Sequence, residues 1–342
     1  MKRFKKLFCL MLAVLMLLLT ACSSSTVNRD PSTTVTTGQS SNGEITYGDQ
    51  TFSVDVETLT LNIQIRSNEK LDLTPLAQCI NLQRLSINVV ITPHIYYDKY
   101  DEPHIVEQPA VDITPLASLK GLRRLDLNVG RIDDLTPLTQ LSNLGMLVLW
   151  IDGGMDLAPL AGCVSLTELA IGGRGSVDLA PITTFPALTG LRVDVYDSQW
   201  NTPDLSALSG APNLTTLSIG ASRGLGELKD VPLKRLVDLN DSADILEHLP
   251  ALDTLEQIEI SDEHLNDITP LLQHSPTIAK LVLEVGAQDI ENYTVIRSAD
   301  DPVLASLITA IPLSQLRSYL SAGGTSVTLV VNQNRETGIV NK

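Results

Sequence analysis

Histidine and acidic side chains occur together in one short stretch of the chain, and they are the residues that could hold a metal ion. Imidazole nitrogens and carboxylate oxygens are ordinary ligands of zinc and related ions. The two histidines of the stretch are ten residues apart, a spacing that fixes no common face, and charged groups on loops are more often simply hydrated. We therefore predict no metal and no cofactor, and keep a metal-dependent or hydrolytic enzyme as a minor alternative. The candidate ligands are His94, Asp98, Asp101, His104 and Glu107.

Other catalytic arrangements have no support in the sequence. His248, His264 and His274 fall in different turns of the chain. No Ser–His–Asp set, phosphate-binding loop or converging pair of carboxylates accompanies them. We expect that the protein is not an enzyme.

Aromatic side chains are better candidates for function, because they concentrate on two insertions and at one predicted strand end. One insertion lies between Val89 and Val111, and the other runs from Tyr196 to Pro203. Aromatic residues on loops are typical of recognition surfaces, although the rings of an insertion can also pack into a small core of their own. Both interpretations stay open at this point. The residues concerned are Tyr96, Tyr97, Tyr100, Trp150, Tyr196 and Trp200.

A repeated pattern defines the elements that would position these residues. Asp112, Asp134 and Asp156 recur every 22 residues, and L-x-x-L-x-L follows within each unit. This period and leucine spacing predict a leucine-rich-repeat solenoid, because each short strand can bury its leucines only against its neighbours. We predict a horseshoe-like α/β solenoid with a parallel β-sheet on the concave face and short helical turns on the convex face. It has about nine to ten rungs and a cap at each end.

The repeat also predicts local structure. Thr-Pro follows several of the repeat aspartates, which predicts a helix N-cap at the threonine and proline at the first helical position. The predicted strands share a buried aliphatic residue near their start. These residues are Leu59, Leu85, Leu125, Leu147, Leu169, Leu191, Leu217, Leu236, Ile258 and Leu281.

The concave face should carry the residues that flank those leucines, since side chains alternate along a strand. One strand places Met146, Val148 and Trp150 there, an apolar row on a face that should be hydrated. Small residues at Ala170 and Gly172 leave room beside it. Two arginines, Arg124 and Arg192, border the area. We predict a binding site at this row, continued by the aromatic residues of the two insertions.

The D-[LI]-T-P-L pattern followed by L-x-x-L-x-L resembles the repeats of internalin-type bacterial proteins over about Val56 to Leu283. The resemblance implies the solenoid fold. That family usually places asparagine three residues after the second strand leucine, where it bonds the turn backbone. The turns here must be satisfied in another way, and host-cell adhesion is not carried over from the family. The replacing residues are Val90, Gly130, Asp152, Arg174, Tyr196 and Ser222.

The start of the chain is typical of a targeting segment. Basic residues precede a continuous apolar run from Leu7 to Leu19, which is too short to span a bilayer comfortably. The sequence Leu19-Thr20-Ala21-Cys22 resembles the lipobox of bacterial lipoproteins. The resemblance implies cleavage before Cys22 and lipid attachment to its sulfur, and two or more acyl chains suffice for a stable membrane anchor. An uncleaved anchor with an incidental cysteine is the alternative.

Charge and cysteine content narrow the choice of partner. The chain has 24 Lys and Arg against 40 Asp and Glu, a formal charge of −16. Nucleic acids and anionic lipids need basic patches, so we expect neither as a ligand. Cys79 and Cys163 hold the same core position three rungs apart, too far for a disulfide. We predict two buried free thiols.

These observations lead to one principal hypothesis. The protein is expected to be a lipid-anchored, extracytoplasmic solenoid that binds a protein or other macromolecule at the cell surface. A structural envelope protein without a single ligand is the alternative. The predicted segments are a signal peptide (1–21), a lipidated cysteine with a Ser/Thr-rich tether (22–43), a solenoid that begins with a capping hairpin (44–284) and a C-terminal cap (285–342).

Overall fold

Strands that follow the leucine pattern make up most of the regular structure. The computed structural model describes residues 43–66, 69–92, 95–97, 103–105, 110–197, 201–220, 223–238, 246, 252–261, 267–274, 280–287, 293–308, 311–322 and 328–333. Its strands are β1 (Glu44–Tyr47), β2 (Gln50–Ser53), β3 (Thr58–Arg66), β4 (Arg84–Thr92), β5 (Ile95–Tyr97), β6 (Pro103–Ile105), β7 (Arg124–Gly130), β8 (Met146–Asp152), β9 (Glu168–Arg174), β10 (Gly190–Tyr196), β11 (Thr216–Ile219), β12 (Arg235–Asp238), β13 (Gln257–Ser261), β14 (Lys280–Ala287), β15 (Tyr293–Ile296), β16 (Leu307–Ile308) and β17 (Thr328–Gln333).

Short helices connect the strands. In the described part of the chain, two of them are α-helices, α1 (Thr269–His274) and α2 (Leu313–Ala322). The others are 3₁₀ helices of four to six residues, at Thr74–Gln78, Thr114–Ser118, Thr136–Gln140, Ala158–Gly162, Ala180–Thr184, Leu205–Leu208, Leu225–Asp230 and Pro302–Ser306.

The main sheet confirms the predicted leucine-rich-repeat solenoid. Strands β3, β4 and β7 to β14 lie side by side in that order, and each is parallel to the next. All ten predicted rungs are present. The rung leucines stack in register: Leu147 lies between Leu125 and Leu169, and each of the three is at most 2% exposed. The opposite side of the sheet is open to solvent, and we call it the concave face.

Aspartate, rather than threonine, caps the 3₁₀ helices, so the predicted threonine N-cap is wrong. The Oδ1 atom of Asp134 accepts a hydrogen bond of 2.8 Å from the backbone N–H of Thr136, the first residue of its helix. Hydrogen bonds from the Thr136 side chain and from its backbone N–H hold the pKa of Asp134 below its ordinary value. The side chain two residues before the helix therefore satisfies a donor that the helix leaves unpaired. The same bond recurs at Asp72, Asp112, Asp156, Asp178, Asp204 and Asp267.

Backbone hydrogen bonds between neighbouring repeats pair turn groups that an asparagine side chain would otherwise bond. The N–H of Gly153 donates to the carbonyl of Arg174 at 2.6 Å, and the N–H of Gly175 donates to that of Tyr196 at 2.9 Å. Gly175 has a φ of +149°, and a Cβ atom there would collide with the carbonyl of Gly153. Glycine is therefore required where these turns approach each other.

Additional elements adjoin the first and the last repeats of the described sheet. The predicted hairpin is present as the antiparallel pair β1–β2, and its Tyr47 is 1% exposed and donates a hydrogen bond of 2.8 Å to the carbonyl of Asp72. At the other end, α2 contacts the last repeat through Gln315, whose side chain bonds Asp267 and the N–H of Ile268, each at 2.8 Å. Strand β17 extends the sheet in parallel beside β14, and β15 pairs antiparallel with β17.

The two core cysteines support a prediction about labelling. Both thiols are free and buried, and burial raises the pKa of the Cys163 thiol to about 11. Because the thiolate is the reactive form, native protein is expected to take up two fewer maleimide labels than urea-unfolded protein, counted by mass spectrometry. Replacing both residues by serine should abolish the difference. A mobility shift that reveals an internal disulfide would overturn the placement of these residues in separate rungs.

Candidate functional site

Trp150 is an exposed aromatic residue on the concave face. It lies on β8, in register with Asn128 of β7 and Gly172 of β9, and it is 36% exposed. A Cβ atom at Gly172 would lie 2.5, 2.6 and 2.8 Å from Cζ3, Cε3 and Cη2 of Trp150. The indole therefore leans across the neighbouring strand and occupies the space that a side chain would take there.

These three distances also show which part of the ring faces Gly172. They join the Cβ position to three consecutive atoms of the benzo ring and are nearly equal. An edge-on approach would leave the two outer atoms clearly farther away than the middle one. One face of the indole therefore rests on the glycine. The room that we expected beside Gly172 is filled by Trp150 itself, which corrects the sequence analysis on that point.

An apolar strip surrounds the indole. Met146 and Val148 precede Trp150 on β8 at alternate positions, and Ala170 on β9 is in register with Val148. Met146, Val148 and Ala170 are each partly buried, whereas the leucines between them are fully buried. We call Met146, Val148, Trp150 and Ala170 the apolar strip. It is two strands wide and follows β8 and β9.

Matching ion pairs border the strip on both sides. On β7, the guanidinium of Arg124 lies 3.0 Å from the carboxylate of Asp126. On β10, the guanidinium of Arg192 lies 3.9 Å from the carboxylate of Asp194. In both pairs the arginine side chain is 47% exposed and the aspartate side chain 26%. Each of these two pairs balances its own charge, so neither pair adds to the formal charge of −16 that the chain carries.

A second glycine on the same face accommodates an acidic side chain. Gly190 on β10 is in register with Glu168 on β9, and a Cβ atom at Gly190 would overlap the carboxylate of Glu168. Trp150 and Glu168 thus both lean toward the following strand. Glycine at a concave position beside a large side chain was visible in the sequence, but the direction in which that side chain leans was not.

Tyr196 lies at the rim of the face, away from the strip. It ends β10 in register with Arg174 of β9, which in turn is in register with Asp152 of β8, two residues beyond Trp150. Burial raises the pKa of the Tyr196 hydroxyl, while hydrogen bonding to Arg174 opposes that shift. The residue lines a small cavity of about 30 Å³ together with Thr202 and Pro203. The structure therefore places Tyr196 at the edge of the predicted site and not at its centre.

The other predicted residues are described only in part. Tyr96 and Tyr97 belong to β5, which forms an antiparallel hairpin with β6, and Tyr96 pairs with His104. Tyr100 and Trp200 lie outside the described residues, as do His94, Asp98, Asp101 and Glu107. No group of three or more potential metal ligands occurs in the part of the chain that the structure describes.

The parallel ladder, the 22-residue period and the aspartate-capped 3₁₀ helices together decide the protein class. The chain is a leucine-rich-repeat protein. Its repeats are internalin-like in sequence, with D-[LI]-T-P-L at the start of the unit. No protein-family model matches the chain, and no curated protein sequence matches it.

Solved structures similar to this leucine-rich-repeat protein include two internalins of Listeria monocytogenes str. 4b F2365. The first (inlF) is 25% identical, with a TM-score of 0.40, and the match covers 68% of this chain and 61% of that one. The second (inlC2) is 24% identical, with a TM-score of 0.31 and coverages of 65% and 70%. A TLR13–ssRNA13 complex is 17% identical, with a TM-score of 0.38 and coverages of 64% and 35%. The chain spans about three fifths of the length of the first internalin.

The contact between Trp150 and Gly172 gives a direct test of the described surface. Gly172→Ala is expected to lift the indole off β9, because the added methyl group occupies the position of the ring. In a Trp200→Phe background, the emission of Trp150 should shift to the red and acrylamide quenching should increase. Gly190→Ala is the matched control, since its methyl group displaces Glu168 and leaves Trp150 in place. Unchanged quenching in the Gly172→Ala variant would contradict the contact.

Proposed function

We propose that this leucine-rich-repeat protein binds another protein at the cell surface through the apolar strip on its concave face. One observation carries the proposal: the Trp150 indole lies on Gly172 with 36% of the residue exposed, on the solvent-exposed face of the sheet. The glycine at position 172 is what allows the ring to lie flat on β9 while part of it stays exposed to solvent. Buried aromatic anchors surrounded by a polar rim are typical of the centres of protein interfaces.

The geometry supports a preformed site. The ring rests on a glycine backbone, and the two arginines at the borders are held by aspartates of their own strands. A partner would therefore meet side chains that are already in place, which reduces the conformational entropy lost on binding. The two border ion pairs carry no net charge, so they would not repel a charged partner, whereas the carboxylate of Glu168 beside Met146 would favour a polar or basic group there.

Attachment to a membrane is part of the proposal and rests on the residues around Cys22. The apolar run of the first segment is followed by Leu19-Thr20-Ala21-Cys22, the pattern that resembles a lipobox. The segment lies outside the described residues. Among the helices that the structure describes, none is long and apolar enough to cross a membrane.

Replacing Cys22 tests the proposed lipidation. Cys22→Ala removes the sulfur that would carry the lipid, so incorporation of labelled palmitate and processing of the signal are both expected to be lost. Cys79→Ala serves as the control, because that thiol is buried in the core and should not affect labelling. A Cys22→Ala variant that still incorporates labelled fatty acid would refute the anchor.

Capture of a partner tests the binding function. The full chain, immobilised through its C terminus, is exposed to a surface-protein fraction of the source organism or its environment, beside the Trp150→Ala and Val164→Ala variants. Val164 is 62% exposed and lies away from the concave face, so it controls for loss of any apolar side chain. Proteins retained by the wild type and Val164→Ala but lost by Trp150→Ala are the expected result. Retention that is identical on all three baits would favour a structural envelope protein.

A further inference from the structure

The dimensions and chemistry of the apolar strip restrict what can lie on it. We propose that the strip receives the apolar face of an amphipathic α-helix of the partner protein. The inference rests on the proposed function, because it names the element that occupies the same site. Width, backbone hydrogen bonding, spacing along the strands and the border charges each bear on it.

The width of the strip matches a helix. Its borders are formed by Arg124 and Asp126 on β7 and by Arg192 and Asp194 on β10, three strand spacings apart. That separation is about 14 Å. An α-helix with its side chains is roughly 10–12 Å across, whereas a single extended segment covers about one strand spacing, roughly 5 Å. A sheet of several strands would be wider than the strip and would press on the ion pairs.

The backbone of the strip offers an occupant no hydrogen bonds. Strands β8 and β9 are paired on both sides within the sheet, so their N–H and C=O groups are already used. A segment that lies on this face must satisfy its own backbone groups, since burying them unpaired is costly. A helix bonds its own backbone internally. An isolated extended segment does not.

The spacing along the strands is also compatible with a helix that runs parallel to β8. Met146, Val148 and Trp150 follow one another at two-residue steps, roughly 6.6 Å apart. Residues i and i+4 of a helix are separated by about 6 Å along its axis. Three successive apolar positions of one helix face can therefore meet the three residues of β8. The indole, which lies flat on Gly172, gives that end of the strip a broad surface.

The border ion pairs predict the flanks of the helix. Residues on either side of its apolar stripe would lie over Arg124–Asp126 and Arg192–Asp194. On the β10 side they would also meet the carboxylate of Glu168, which leans across Gly190. Apolar flanks would remove water from these pairs without replacing it, which is unfavourable. Polar or charged flanks can hydrogen-bond to them. The expected partner segment thus has apolar residues at i, i+3 or i+4, and i+7 or i+8, with polar residues beside them.

Two displayed peptide libraries provide the test. One library randomises a single face of a stabilised helix, and the other randomises the same number of positions in a disulfide-closed loop. Both are selected on the full chain, and each enriched peptide is measured again on Trp150→Ala and on Val164→Ala. We expect helical peptides with the apolar spacing above, whose affinity falls at least tenfold on Trp150→Ala and is unchanged on Val164→Ala.

The contrary outcomes separate the two proposals. Trp150-dependent peptides that come from the loop library alone, or bind as tightly as the helical ones, overturn the helix and leave the protein-binding site standing. If neither library yields a peptide whose binding depends on Trp150, the site is overturned as well. Neutral oligosaccharides are included as a third probe, and their Trp150-dependent binding in place of peptides would show that the partner is a glycan. Circular dichroism of each variant confirms that it is folded.

Discussion

Replacing Leu147 by alanine is expected to lower the free energy of unfolding by about 2–5 kcal/mol, the usual cost of truncating a buried leucine. Leu147 has no exposed surface and lies between Leu125 and Leu169 in adjacent rungs. Hydrogen bonds of the parallel ladder fix the strands on either side, so they cannot close over the missing side chain. The cavity should therefore persist, and the loss should fall in the upper part of the range.

Urea denaturation followed by circular dichroism gives the measurement. Val164→Ala is the control, because Val164 is 62% exposed and truncating an exposed side chain usually changes stability by no more than about 0.5 kcal/mol. Long repeat arrays can unfold in stages, so the midpoint and the slope of each transition are compared along with the extrapolated free energy. Equal midpoints for the two variants would show that Leu147 is not part of the core.

Much of the fold could be predicted because each of the ten strands has the same need to bury an aliphatic side chain. A leucine or isoleucine at each strand start has to be buried, and a neighbour one period away is the element available to bury it. The structure accordingly places Leu59, Leu85 and the later rung residues in one parallel ladder. The weakest part of the sequence pattern, near Leu236, still forms a strand, since its flanking rungs determine the register.

Details that depend on two side chains at once could not be predicted. Threonine and aspartate can both cap a helix, and the sequence does not show that Asp134 accepts from the N–H of Thr136 while Thr136 itself becomes the first helical residue. The space beside Gly172 was predicted, but its occupant depends on the rotamer of Trp150. Likewise, Arg124 and Asp126 face the same side of one strand, which predicts that they are close to each other but not that they form an ion pair.

The remaining predicted site residues lie in or next to the two insertions, where the repeat pattern gives no guidance. The insertions do not repeat, so no neighbouring unit indicates how their side chains pack. Tyr196 belongs to a strand: alternation along β10 gives its face, and its place as the last residue of the strand gives its rim position. Trp200 and Tyr100 belong to the insertions and remain predictions. The site that can be argued from contacts is therefore the apolar strip with its two borders.

Trp150→Ala is expected to weaken partner binding on the order of thirtyfold, which corresponds to roughly 2 kcal/mol, the loss typical of a central aromatic anchor. The variant removes the largest exposed apolar group of the strip and uncovers Gly172. Its effect on folding should be small, because the indole rests on the concave face, on the side of the sheet opposite the leucine core. The melting temperature is expected to move little, whereas it should fall clearly for Leu147→Ala.

Affinity and stability must be measured on the same preparations of Trp150→Ala, Leu147→Ala and Val148→Ala, with the captured partner in titration calorimetry and with thermal denaturation. Val148 is a partly buried neighbour on the same strip, so its truncation should weaken binding less than that of Trp150. If Trp150→Ala lowers the melting temperature as far as Leu147→Ala does, the tryptophan is a structural residue and the proposed site is wrong. If it changes neither quantity, the apolar strip has no part in binding, and a structural role for the solenoid becomes the better hypothesis.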